Sequence, residues 1–164
     1  MKLDLLPVIN ADGKVIEIDE KLDFSDKHMQ GVIFLSPLHI CGTLANIGGT
    51  IELNVSASGR VQYECDRCCE DYEDDLNFEI SEILKKENSD EDTNPDVLYF
   101  KGFSADFDEI VLNNAFMNIP SKKLCKDSCR GLCPSCGKNL NFGDCGCDTR
   151  PTDPRFDILD KFFE

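Results

Sequence analysis

The sequence predicts an α+β fold: a β-rich, antiparallel main domain with one helix, followed by a small cysteine-rich C-terminal part. Three observations carry this reading. Apolar residues alternate at period two in segments between positions 38 and 84, one capped helical pattern runs from Asp106 to Pro120, and six of the ten cysteines fall between Cys125 and Cys147. A chain of 164 residues suits one domain, or one domain with a small appendage. At 41% apolar and 30% charged it can bury a core.

The strand evidence starts at Leu38–Leu44, which alternates roughly, and becomes clean at Thr50–Val55. Ser58-Gly59 is a turn signal and Arg60–Cys65 alternates again, so the two runs read as a hairpin. Leu76–Leu84 has apolar residues at 76, 78, 80 and 83, beginning as a strand and ending on a spacing that a helix would also satisfy. The run 85–96 is acidic and has no periodicity; it reads as a solvated loop in preference to a partner-binding segment. Asp106 then stands as an N-cap, with Glu109 three residues on, and Phe107, Ile110, Val111 and Ala115 follow at helical spacing until Pro120. Asp153 and Pro154 would start a second, short helix whose Phe156, Leu159 and Phe163 share one face. Packing on the protein's own core is the simpler use of that face.

Charge divides the chain at the same place. Residues 1–120 carry 9 basic and 25 acidic side chains, whereas 121–164 carry 8 and 7, within a total of −15. We therefore read an acidic β-rich domain, 1–120, that carries the first Cys-x2-Cys, and a cysteine-rich tail, 121–164. The acidity opposes nonspecific attraction to nucleic acid or anionic lipid. No apolar run approaches membrane-spanning length. The first residues do not resemble a secretory signal, so the expected compartment is the cytosol, where disulfides rarely persist.

In that setting close-spaced thiols point to metal. The pairs are Cys65-x2-Cys68, Cys125-x3-Cys129, Cys133-x2-Cys136 and Cys145-x-Cys147. Each can aim two sulfurs at one point, and together they suffice for two four-cysteine zinc sites. Cys133-Pro134-Ser135-Cys136-Gly137 is the sharpest, a zinc-ribbon-like turn in which Gly137 takes a conformation that side chains resist. The preferred partition is local for Cys133, Cys136, Cys145 and Cys147. Cys65 and Cys68 then join Cys125 and Cys129 across a long loop. An interleaved arrangement, with both Cys-x2-Cys pairs on one metal, is the rival, and iron also suits four thiolates. Cys41, alone on a strand, reads as an ordinary buried thiol, and Cys69 as pointing away from its neighbour's metal. A redox role for Cys65 and Cys68 lacks a thioredoxin-like context. His28 and His39 fit no ligand spacing, and no catalytic motif is present, so the metal reads as structural and the protein as no enzyme.

These residues resemble the YceD family. The resemblance lies in the strand leading into Cys65-Asp66-Arg67-Cys68, the acidic strand after it, Asp106 to Pro120, Cys129-Arg-Gly-Leu-Cys-Pro-Ser-Cys-Gly-Lys-Asn-Leu-Asn, and Asp153-Pro154-Arg155. It runs from about residue 30 to the end and is closest to the zinc-tail form of clostridia and bacilli; Cys69 departs from the family's usual leucine. The resemblance implies a bacterial cytoplasmic protein needed for accumulation of large-subunit (23S) ribosomal RNA, with no known catalytic activity. Two roles fit. In the favoured one, an acidic adaptor binds a basic ribosomal protein or an rRNA-processing enzyme. In the other, a zinc module contacts ribosomal RNA through Lys122, Lys123, Lys126, Arg130, Lys138 and Arg150, residues that serve equally well as counter-charges to zinc thiolates. Neither role involves a membrane or a small-molecule substrate.

Overall fold

The computed structural model describes residues 1–27, 31–87, Asn94 and 97–147. The chain divides into two compact units: Met1–Tyr63 with Tyr72–Ser121, and Glu64–Asp71 with the chain from Lys122 onward. The Cys65–Cys68 turn, read from sequence as part of the domain 1–120, thus belongs by its contacts with the C-terminal cysteines.

The first unit is strand-rich. β1 (Lys2–Asp4) pairs antiparallel with β8 (Ser104–Asp106). The main sheet has the order β2-β4-β5-β6-β7, formed by Val15–Leu22, Leu38–Ile47, Thr50–Glu64, Asp71–Lys86 and Leu98–Phe100; β3 (Val32–Phe34) also pairs with β5. β2 and β3 pair antiparallel with β4 and β5 respectively, and β4 with β5, while β7 runs parallel to β6. One sheet face is buried, because Leu38, Ile40 and Leu44 of β4 and Leu53, Val55, Ala57 and Val61 of β5 share a parity and join one core with Phe107 and Val111 of α2 (Phe107–Asn118). Asp106 caps α2, its carboxylate accepting from the Glu109 N–H at 3.2 Å, and the helix stops before Pro120. A further short helix, α1 (Leu6–Ile9), ends on Asn46, whose buried side-chain amide donates to the Val8 carbonyl at 2.7 Å. Among the described residues no helix is long and apolar enough to cross a membrane.

Three local expectations need correction. Ser58-Gly59 is no turn: β5 runs unbroken from Thr50 to Glu64, and the hairpin turn lies at Gly48-Gly49, both at positive φ. Segment 76–84 is strand throughout, with Ile83 exposed on the face opposite Leu84. Cys41 is exposed, on the solvent face of β4, where its sulfur lies 3.2 Å from the Ser56 hydroxyl. Most of the acidic run 85–96, His28, and the C-terminal helix with Phe156, Leu159 and Phe163 lie outside the described residues.

Candidate metal centres

Both cysteine clusters are built in the second unit, and both start from the same turn. In Cys65–Glu70 the Cys69 N–H donates to the Cys65 carbonyl at 2.9 Å and the Cys65 N–H to the Glu70 carbonyl at 3.0 Å. In Cys133–Lys138 the Gly137 N–H donates to the Cys133 carbonyl at 2.9 Å, and the Cys133 N–H to the Lys138 carbonyl at 2.8 Å. The fifth residue is left-handed in each, Gly137 at φ 74° and Cys69 at φ 56°. Cys69, left without a role in the sequence reading, therefore stands where the turn wants glycine. Cys69→Gly is expected to raise stability by about 0.5–1 kcal/mol, since relief of the left-handed strain exceeds the added unfolded-state entropy. Chemical denaturation of the metal-loaded chain measures it.

The eight thiols gather as Cys65, Cys68, Cys125 and Cys129, and as Cys133, Cys136, Cys145 and Cys147; within each group all sulfurs lie within 4.8 Å of one another. This is the local-plus-long-loop partition, not the interleaved one. Cys65 Sγ lies 3.8 Å from Cys129 Sγ, and Cys68 Sγ lies 3.7 Å from Cys125 Sγ. These separations are far beyond a disulfide bond. They match the edge of a tetrahedron with 2.3 Å zinc–sulfur bonds, about 3.8 Å. All-thiol donors at this spacing fit a soft, tetrahedral cation, so two tetrads are present that could hold metal ions.

A mesh of polar contacts holds the first turn against the C-terminal cysteines. The Asp66 carboxylate accepts from the Lys123 N–H at 2.6 Å, and the Asp66 N–H donates to the Lys123 carbonyl at 2.8 Å. Arg67 Nη1 donates to the Cys129 carbonyl at 2.8 Å, and its own carbonyl accepts from the Leu132 N–H at 3.0 Å. Gly131, at φ 72°, passes so close that a Cβ there would lie 2.9 Å from the Arg67 carbonyl oxygen. Sequence reasoning assigned no role to Asp66, Arg67, Gly131 or Asn141. Asn141 donates to Cys129 Sγ at 3.3 Å and is oriented by Asn139 Oδ1 at 2.9 Å. Its only sequence signal is the Asn-Leu-Asn that follows the second turn.

The thiols divide by proton affinity. Burial opposes ionisation of Cys65, but N–H donation from Cys125, Arg67 and Cys68 outweighs it and brings the thiol down to about 6. The N–H groups of Cys136 and Ser135 bring Cys133 to about 6 as well. Burial and the neighbouring Cys68 and Cys129 thiols push Cys125 up to about 12, and Cys136 and Cys145 do the same to Cys147. Near neutral pH each metal-free tetrad therefore keeps protons that an entering cation must expel. Zinc affinity is expected to fall as pH falls, and more steeply below about 6, where Cys65 and Cys133 also take up protons. Competition titrations against a chromophoric chelator at two pH values check this; an affinity indifferent to pH would contradict it.

Lys122, Lys126, Arg130 and Lys138 are exposed and Lys123 half-buried. Arg130 pairs with Asp144, and Lys138 donates to the Asp144 carbonyl at 3.0 Å. The cysteine sulfurs of the first tetrad accept instead from the Cys125 N–H and from Asn141. Arg150 lies outside the described residues.

A family model described as "Large ribosomal RNA subunit accumulation protein YceD" matches residues 53–163, about two thirds of the chain. The chain belongs to the YceD family. The match takes in the Cys65–Cys68 turn, α2 and both tetrads, opening inside β5. No curated protein matches the chain, nor does any solved structure. The family description links this YceD protein to large-subunit ribosomal RNA accumulation, which makes ribosome-related partners plausible.

Proposed function

We propose that this YceD protein is a non-enzymatic, cytoplasmic factor supporting 23S ribosomal RNA accumulation and ribosome production. It acts as an acidic adaptor, stabilised by two zinc ions, that holds a basic ribosomal protein or an rRNA-processing enzyme. The observation that carries the reading is the all-thiol character of the tetrads beside the heavy acidity of residues 1–120. Four protein sulfurs close a tetrahedral site and leave no position for substrate, which favours a structural metal. Each zinc held by four thiolates adds two negative charges, so metal loading deepens the acidity that would attract a basic partner and repel phosphates. Elemental analysis of unchelated protein should give two zinc per chain, with iron as the substitute to exclude.

The test of the adaptor role is binding to purified basic large-subunit proteins across a salt series. Affinity should fall by about tenfold or more between 50 and 300 mM salt, because complementary charge supplies the attraction. Binding that ignores salt, or its absence, rejects the role. The rival, direct RNA contact, is favoured by the exposed Lys122, Lys126, Arg130 and Lys138. Changing Lys122, Lys123 and Arg130 together to Glu separates the readings: lost affinity for ribosomal RNA supports the rival, and unchanged affinity removes it.

A further inference from the structure

Among the described residues the main sheet has one buried face and one exposed face, and the exposed face has an unusual composition. Along the middle strands its outward residues are small and polar: Cys41 and Thr43 on β4, Asn54, Ser56 and Ser58 on β5. Carboxylates border them on both sides, Glu17 and Asp19 on β2, and Glu73, Asp75 and Glu79 on β6. Pairing places Glu17 beside Thr43 and Asn54, and Asp19 beside Cys41 and Ser56, so the acids flank one continuous strip. The Ser81 hydroxyl donates to Asn54 Oδ1 at 2.8 Å, which ties β6 to the same strip. At one end the face sinks into an open depression of about 690 Å³ between Asp19, Ser58, Arg60 and Asp75.

Two basic side chains on this face already have carboxylate neighbours, and Lys21 of β2 stands at the depression. Arg60 lies 3.0 Å from Glu73 and 3.8 Å from Asp75, and His39 lies 2.7 Å from Asp19. Among the described residues Glu17, Glu52 and Glu79 have no ion-pair partner. Short side chains along the strip leave room for long ones laid across it, and the flanking carboxylates would meet their charged ends. Aromatic residues on which bases could stack are missing from the strip, and its sign repels phosphate.

We infer that this outward face of β2, β4, β5 and β6 is the docking surface for an arginine- and lysine-rich polypeptide segment of the partner. The inference rests on the adaptor reading and gives it a location in the first unit. The strip of Cys41, Thr43, Asn54, Ser56 and Ser58 carries no aromatic or aliphatic anchor, the exposed Val15, Ile47 and Ile83 of this face standing outside it, so the complex depends chiefly on electrostatics: it forms fast, loosens with salt and is readily released. Those are the properties of a factor that hands its cargo on.

Cys41 provides a built-in reporter, since its exposed thiol lies in the middle of the strip, whereas the exposed Cys69 lies in the other unit. The experiment uses the full, zinc-loaded chain, a synthetic arginine/lysine-rich peptide as probe, and alkylation rates read by peptide mass mapping. Saturating peptide should slow alkylation of Cys41 at least about fivefold and leave Cys69 unchanged. The triple variant Glu17→Gln, Glu52→Gln, Glu79→Gln should weaken peptide affinity about tenfold at low salt, as expected when three facing charges are removed. A matched triple elsewhere, Asp26→Asn, Glu109→Gln, Asp127→Asn, should change it less than about twofold. Peptide that binds while Cys41 stays reactive and the two triples behave alike overturns this surface and leaves the adaptor reading standing. A chain that binds no basic peptide, or whose Cys41 is protected by RNA instead, overturns both.

Discussion

Stripping metal from the intact chain is expected to abolish the fold of the second unit. The reason is what that unit lacks. Among its described residues the buried apolar side chains are Cys65, Cys68, Cys129 and Cys133, while Leu132 is 39% and Phe142 78% exposed. None of its described residues belongs to the continuous hydrophobic core. With so little aliphatic burial among the described residues, thiolate–metal bonds would supply the energy that orders 122–147, typically about 10–16 kcal/mol for a structural zinc. Amide exchange should lose protection across this unit on chelation and keep it in β4, β5 and α2. Single substitutions refine the expectation. Cys129→Ser should cost one equivalent of zinc, Cys136→Ser the other, and the double variant both, because the two tetrads share no sulfur. Loss of both ions from Cys129→Ser alone, or a chelated chain that stays protected at 122–147, would contradict the arrangement.

In the first unit the largest effect is expected at the opposite kind of position. Phe107 is fully buried at the start of α2 and packs into the sheet's core with Ile110, Val111 and Ala115. Phe107→Ala should destabilise by about 4 kcal/mol, the lost transfer energy of the ring together with the cavity it leaves. Phe116 lies on the same helix and is 64% exposed, so Phe116→Ala should stay within about 0.5 kcal/mol. Urea unfolding of the zinc-loaded chain compares the two. Equal losses would mean that α2 is not seated on the sheet through Phe107.

Read alone, the sequence determined whatever depends on near neighbours. The capped start and the end of α2 were legible, since Asp106, Glu109 and Pro120 act through backbone groups within a turn. So were the strands around Leu38–Leu44 and Thr50–Val55, because alternation marks a one-sided sheet wherever it occurs. The four cysteine pairs were legible too, as a short spacing already aims two sulfurs together. Ser58-Gly59 misled because a turn signal was weighed without parity. Positions 51, 53, 55, 57, 61 and 63 are all buried, so the phase of β5 never breaks, while Gly48-Gly49 just upstream offers the positive φ that a hairpin needs.

Tertiary structure decided everything that required distant residues to meet. Which pairs share a cluster depends on bringing Cys68 to Cys125 across 57 positions, and no local rule reaches that far. The meeting is specified by contacts whose partners look unremarkable in sequence, such as Asp66 with Lys123 and Arg67 with Cys129. The side of β4 on which Cys41 falls was likewise beyond reach. Period two defines two faces, and only the layer that packs against one of them determines which thiol is buried and which meets solvent.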